Sequence, residues 1–284
     1  MTAMEARGRG VCTGVLAARR ALITHWPEYS LEALGLGLFM LSACLCTVLL
    51  EHPASPLRQA IADGSLRRLL TGLAMGLTAI ALIYSPIGKR SGAHMNPSVT
   101  LTFWRLGRVE RWDALFYVLA QFAGGALGVA LAAVLLGNML IADPAVNYAV
   151  TVPAPGSRWA AFGAELAISG GLMLLVLTVS NLPAINRYTG MLAGALVAAY
   201  ITFEAPLSGM SMNPARTVAS ALPAGVWTDA WIYLVAPPLG MLIAAELYLL
   251  ARGENSVLCC KLHHDNGSRC IFHCRYHAEA RHEC

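Results

Sequence analysis

Residues 91–100 read SGAHMNPSVT, and residues 208–217 read SGMSMNPART. Six of the ten positions agree at a constant offset of 117. The agreement extends outward. Thr71-Gly72 stands 25 residues before Asn96, and Thr189-Gly190 stands 24 before Asn213. Tyr117 opens YVLAQFAG 21 residues after the first asparagine, and Tyr233 opens YLVAPPLG 20 after the second. Each half also carries a glutamate, Glu32 or Glu165, near the start of its first apolar run. Two unrelated Asn-Pro dipeptides would not share such flanks, so the chain is a duplicated unit.

The surroundings of the repeat are built for lipid. Of the 284 residues, 57% are hydrophobic and 13% charged, against about 25% charged in a soluble domain. Apolar runs lie near 31–50, 69–85, 114–136, 160–180, 188–203 and 230–251. A bilayer core takes about 20 helical residues. The runs at 69–85 and 188–203 are short, and both lead into the motifs. Short, interrupted segments at matching places in two halves point to a membrane site. Three spans per unit is an odd number, so the second copy must be inverted.

The expected fold is an all-α membrane protein, with six transmembrane helices and two re-entrant half-helices in an inverted repeat. The expected organisation is an N-terminal segment 1–30, a channel domain 31–251 with repeats near 31–137 and 160–251, and a Cys/His-rich tail 252–284. Fifteen of the twenty Lys and Arg residues fall on the side of the N-terminus. The bias predicts a multi-pass protein of the cell membrane with both termini cytoplasmic. Arg7, Arg9, Arg19 and Arg20 precede no uninterrupted apolar stretch, so no cleavable signal peptide is expected. The net charge of +4 is scattered and carries no nucleic-acid signal.

Asparagine is a strong helix N-cap and proline suits the first turn. Asn96-Pro97-Ser98 and Asn213-Pro214-Ala215 are therefore read as the starts of two half-helices, one entering from each face. Backbone broken in this way is tolerated where it lines a cavity. Each N-terminus carries about half a positive charge, and two meeting at mid-membrane repel cations. The amides of Asn96 and Asn213 are expected to donate to the oxygen of a passing solute. Arg216 follows Asn213 by three residues. An arginine at a helix centre in lipid costs about 2.5–3.5 kcal/mol. Its expected place is the wall of a pore, as a fixed charge with several donors.

Glu32 and Glu165 admit two readings: proton-coupling acids, or structural acceptors for irregular backbone before each half-helix. The second is favoured, because intramembrane acids need partners and the broken loops supply donors. His94 either faces the pore mouth or hydrogen-bonds within its loop.

These motifs resemble the major intrinsic protein (aquaporin and aquaglyceroporin) family over about 31–251. GAHMNPSVT and GMSMNPART are most similar to its nodulin-26-like branch. The resemblance implies a homotetramer with one pore per subunit and a filter of four residues, one of them the motif arginine. Carried over by spacing, the filter is Met75 or Gly76, Ile201, Met210 and Arg216. It implies passive passage of water and small uncharged solutes such as glycerol, and extends to neutral metalloid hydroxides such as arsenous or boric acid. It implies no cofactor for the channel. Ser98 stands where alanine is usual, and Met210 where a small residue is usual. The alternative is an ion- or proton-coupled inverted-repeat transporter, but asparagines stand between the motifs where it needs ionisable groups. No nucleophile with a base and no phosphate loop marks an enzyme.

The tail is different. Cys259, Cys260, Cys270, Cys274 and Cys284 crowd the last 26 residues with five of the eight histidines. Thiolate and imidazole are the usual zinc ligands. Cys260, His263, Cys270 and Cys274 are the candidate set for zinc or another metal, and the same thiols also fit a redox switch.

Overall fold

A computed structural model describes residues 3–264 and 266–276. Its principal helices are α1 (Ala3–Glu51), α2 (Gly64–Tyr84), α3 (Pro97–Arg105), α4 (Arg111–Leu136), α5 (Arg158–Ser180), α6 (Thr189–Phe203), α7 (Pro214–Ala224) and α8 (Trp231–Arg252). Asp63 starts α2 by accepting from the Ser65 N–H at 2.8 Å. Asn96 and Asn213 start α3 and α7, with Pro97 and Pro214 in the first turn. That local chemistry is the one expected of N-caps.

Helices α1, α2, α4, α5 and α8 are long and apolar enough to cross a membrane. Helix α6, with 15 residues, rises only about 22 Å at 1.5 Å per residue. Short turns at Asn186–Tyr188 and Ala205–Ser208 lengthen it at both ends. Helix α2 is longer than its apolar run, because Arg67 is held inside the protein. Its guanidinium bonds the carbonyls of Ile61 and Ala62 at 2.9 and 2.8 Å and pairs with Glu51 at 3.2 Å.

The pairing of elements displays the repeat. Helix α1 packs on α4, and α5 packs on α8 in the same way. Helices α2 and α6, equivalent in the two halves, pack on each other. The half-helices are exchanged: α3 packs against α8, and α7 against α4. Close approach in the first pair rests on small residues. A Cβ on Gly128 would sit 2.2 Å from the Gly37 carbonyl, and one on Gly240, in the second pair, 2.2 Å from that of Leu166. Leu127, Val134 and Leu250 lie outermost, 69, 79 and 84% exposed, as lipid-facing side chains do. Trp159 and Trp231 pack edge to face near one end of the bundle, in the manner of interfacial aromatics.

Helix and core continue across both expected boundaries. The chain does not change state at residue 30. Helix α1 runs through Pro27 into the bundle, because the Ala, Arg and Leu of residues 14–22 are strong helix formers whatever their hydropathy. Its middle turns are tied down: Tyr29 donates to Asp113 at 2.5 Å, and Arg90 pairs with the wholly buried Glu28 at 2.9 Å. Nor does the segment after Arg252 stand apart. Val257, Cys259, Cys260, Leu262 and Phe272 are buried in the same core as Tyr117, Phe103 and Val176.

Candidate functional site

The motif loops match in backbone as well as in sequence. Gly92 and Gly209 take φ of 99° and 82°, Ala93 and Met210 58° and 53°, Met95 and Met212 46° and 54°. Each pair is separated by the sequence offset. Left-handed conformations are strained for residues with a Cβ, and they persist where surroundings over-determine them. The surroundings here are buried acids. Glu32 accepts from Ser91 Oγ, His94 N, Met95 N and Gln121 Nε2 at 2.6–3.0 Å. Glu165 accepts from Ser208 Oγ, Ser211 N and Met212 N at 2.7–2.9 Å. Tyr117 donates to the Ser91 carbonyl at 2.6 Å, and Tyr233 to that of Ser208.

Each asparagine has two roles. Its Oδ1 caps its own half-helix, accepting from Ser98 N at 2.9 Å for Asn96, and from Ala215 N and Arg216 N at 3.0 and 3.2 Å for Asn213. Its Nδ2 crosses to the other half: Asn96 donates to the Met212 carbonyl at 2.7 Å, Asn213 to that of Met95 at 2.8 Å. An amide nitrogen has two hydrogens, so one on each remains for a solute. Pro97 and Pro214, with Ser98 and Ala215, are buried behind the asparagines, Ser98 and Ala215 fully.

A continuous cavity of about 500 Å³ runs past these groups. Glu51 and Arg67 border one end, and His94 and Leu262 the other, with Asn96 and Asn213 between. Helix α2 lines it with Thr71, Met75, Ala79 and Ile83, and α6 with Ala193, Val197 and Ile201. Both stripes have the four-residue spacing of one helix face, the signal that could have found the unforeseen wall residues Ala79, Ile83 and Val197. Met75, Ile201, Met210 and Arg216 all face the cavity. Gly76 does not: a Cβ there would meet the Gly194 carbonyl at 2.5 Å, so it belongs to the α2–α6 contact. Arg216 Nη1 is buried and has no protein acceptor among the described residues.

The two alternatives for His94 are not exclusive. It borders the cavity, and its Nδ1 lies 3.1 Å from Thr100 Oγ1. Ser211, its equivalent, makes the same contact with Thr217 Oγ1 at 2.5 Å. Its Nε2 donates to the Cys260 carbonyl at 3.1 Å, a bond between residues 166 positions apart.

In the tail the candidate ligand set shifts. Cys259, His264, Cys270 and Cys274 bring their donor atoms within 4.8 Å of one another. Cys260 and His263 are not among them. Cys260 turns its Sγ toward the Arg108 carbonyl, 3.9 Å away, and the His263 ring lies 4.9 Å from Tyr84. Neighbouring residues of an extended segment point to opposite sides, so an error of one residue exchanges ligand for core. Lys261 donates to the carbonyls of Lys89, Ser268 and Arg269 at 2.7–3.3 Å, and burial pushes its ammonium below the usual lysine range. The Cys12 side chain, His277, His282 and Cys284 lie outside the described residues.

The family model for the major intrinsic proteins matches residues 21–248. The chain belongs to the major intrinsic protein family. Among similar sequences, aquaporin NIP1-3 of Oryza sativa subsp. japonica is 36% identical over 178 residues, 62% of this chain and 60% of that one. Aquaporin NIP1-1 of Arabidopsis thaliana is 35% identical over 187 residues, 64% and 63% of the two chains. Aquaporin TIP4-4 of Zea mays is 38% identical over 205 residues, 66% and 75%. The chain thus spans about three fifths of the length of the two NIP relatives. The crystal structure of the aquaglyceroporin from Plasmodium falciparum has a TM-score of 0.65 at 21% identity, covering 79% of this chain and 96% of that one. This major intrinsic protein therefore has the aquaglyceroporin fold.

Proposed function

We propose that this chain is a passive channel for water and small uncharged solutes, glycerol among them and neutral metalloid hydroxides as an extension, and that it excludes ions and protons. One observation carries the reading: the cavity passes two half-helix N-termini and Arg216, and among the described residues Glu51, at one end, is the acid that borders it. Glu32 and Glu165 accept from loop donors instead of facing the cavity. Asn96 and Asn213 act as donors to solute oxygen, and Met75, Ile201, Met210 and Arg216 act as the filter. Ile201 and Met75 give the filter two apolar walls, which favours a solute with a carbon backbone over water alone. Arg216 Nη1 supplies a donor on the polar side, and its charge repels cations.

The channel core, residues 31–251, needs no cofactor on this reading and performs no catalysis. The tail group of Cys259, His264, Cys270 and Cys274 is a candidate zinc site. The cell membrane is the proposed location, with both termini cytoplasmic, from the distribution of Lys and Arg. A homotetramer follows from the family resemblance.

The test is stopped-flow light scattering on proteoliposomes under water and then glycerol gradients, against empty vesicles. The reading expects non-saturating entry of glycerol, driven by its own gradient alone. Saturable uptake that requires a proton or sodium gradient would replace it with a coupled transporter.

A further inference from the structure

The tail reaches the wall of the cavity. At the His94 end the cavity is bordered by Leu262, a residue of the tail. The tail is fastened there. Leu262 N–H donates to the Gly92 carbonyl at 3.1 Å, the Cys260 carbonyl accepts from His94 Nε2 at 3.1 Å, and Lys261 bonds the Lys89 carbonyl at 2.9 Å. Phe272 stacks on the His94 ring with centroids 5.6 Å apart and planes 16° apart. Gly92 and His94 are themselves part of the first motif loop. The tail therefore touches the backbone that positions Asn96.

This segment has no regular structure of its own. Among the described residues of 257–275 there is no helix or strand. Segments without regular structure commonly add cross-links or metals to their apolar burial to hold one shape. The tail has the means at hand. Cys259 Sγ is 3.7 Å from Cys270 Sγ. A zinc ion with Zn–S bonds of ~2.3 Å places tetrahedral sulfurs ~3.8 Å apart. Cys274 Sγ lies 2.9 Å from His264 Nε2, so the ring must draw back by ~0.6–0.7 Å to admit an ion. Three thiols and one imidazole form a closed structural zinc set, with no ligand left for catalysis.

We propose that Cys259, His264, Cys270 and Cys274 bind one zinc ion, and that this ion holds residues 257–264 and 266–276 as a plug whose Leu262 closes the channel beside His94. The plug rests on the cavity being the permeation path; the metal site does not. Zinc ties the start of the segment, at Cys259, to its end, at Cys274, and Leu262 lies between them. Loss of the ion removes the tie between Cys259 and Cys274 and leaves the segment held by its apolar burial and its bonds to Lys89, Gly92 and His94 alone, from which the plug is expected to unseat.

Two measurements on the full-length protein test the two halves. Elemental analysis of purified protein is expected to find one zinc per chain, lost in the Cys259→Ser/Cys270→Ser double variant. Zinc at the level of that variant, or a Cys259–Cys270 disulfide in non-reducing mass spectrometry, overturns the site. Glycerol permeability of proteoliposomes is then read with zinc and with a membrane-permeant chelator. A plug seated in about nine molecules of ten would hold flux near a tenth, so the chelator should raise it ~tenfold. Leu262→Ala, which keeps all four ligands, should raise it with zinc still bound. A chain ending at Arg252 should be fast and indifferent to chelator. Equal permeability of all these proteins overturns the plug. Vesicles no faster than empty ones, even with the shortened chain, overturn the plug together with the channel reading and leave the metal site standing on its own analysis.

Discussion

Asn96 and Asn213 hold one another's loops: Asn96 Nδ2 donates to the carbonyl preceding Asn213, at 2.7 Å, and Asn213 Nδ2 to the carbonyl preceding Asn96, at 2.8 Å. Each residue thus caps a helix in its own half and fastens the start of the helix in the other. The inverted repeat is closed at its centre by two reciprocal bonds between side chain and backbone.

Asn96→Asp keeps the capping oxygen and replaces the crossing donor by an acceptor that faces the Met212 carbonyl. A buried acceptor without a donor costs about 1–3 kcal/mol. The thermal midpoint in detergent should fall, and likewise for Asn213→Asp. If the loops act as one clamp, the double variant should lose less than the sum of the two. Strictly additive losses would show the two loops to be independent.

Arg216→Val removes the fixed charge from the cavity wall. Two unit charges ~6 Å apart at an effective dielectric constant of ~20 repel by about 3 kcal/mol, or roughly 100-fold in rate. Proteoliposomes holding a pH-sensitive dye should therefore leak protons or small cations. An unchanged ion barrier would take Arg216 out of the filter.

Met75 and Gly76 separate by their faces on α2. Gly76→Ala should disturb folding by about 1–3 kcal/mol through overpacking against α6, whereas Met75→Ala should leave the fold and change the ratio of glycerol to water flux. Purified yield and stopped-flow rates report the two effects. A well-folded Gly76→Ala protein with altered selectivity would move the filter by one residue.

Ile201→His replaces an apolar wall by a hydrogen-bonding one. The ratio of glycerol to water permeability should drop in stopped-flow measurements. A constant ratio would mean that the fifth span, α6, is not a filter wall.

Glu32→Gln places an N–H where the carboxylate now accepts from Met95 N and Gln121 Nε2 at 2.6 and 2.9 Å. The expected result is a lower thermal midpoint and no effect of a pH gradient on the direction of solute uptake. A stable variant that loses gradient-driven uptake would instead revive the proton-coupled transporter.

Much of the architecture was legible because it is encoded locally. Asn before Pro caps a helix wherever it stands, and an apolar run of about 20 residues spans lipid by length alone. The offset between SGAHMNPSVT and SGMSMNPART was enough to imply inversion, since three spans per unit leave the second copy facing the other way. Glu32, Glu165 and Arg216 stood out because charge in an apolar segment needs a partner or a cavity. Hydropathy alone misjudged the first turns of α1 and α2, where Ala, Leu and paired Arg keep a helix going outside the apolar run.

Direction in space was left to the tertiary structure. Met75 and Gly76 are neighbours in sequence, and only the packing of α2 on α6 decides that one faces the cavity and the other the contact. The exchange of bonds between Asn96 and Asn213 joins residues 117 positions apart, which no local pattern records. In the tail, the turn of one extended segment sends Cys259 to Cys270 and Cys260 to Arg108. A sequence carries which side chains are present and how they repeat. Which of two adjacent side chains meets a cavity, a ligand or a core is set by the surface that the rest of the chain presents to them.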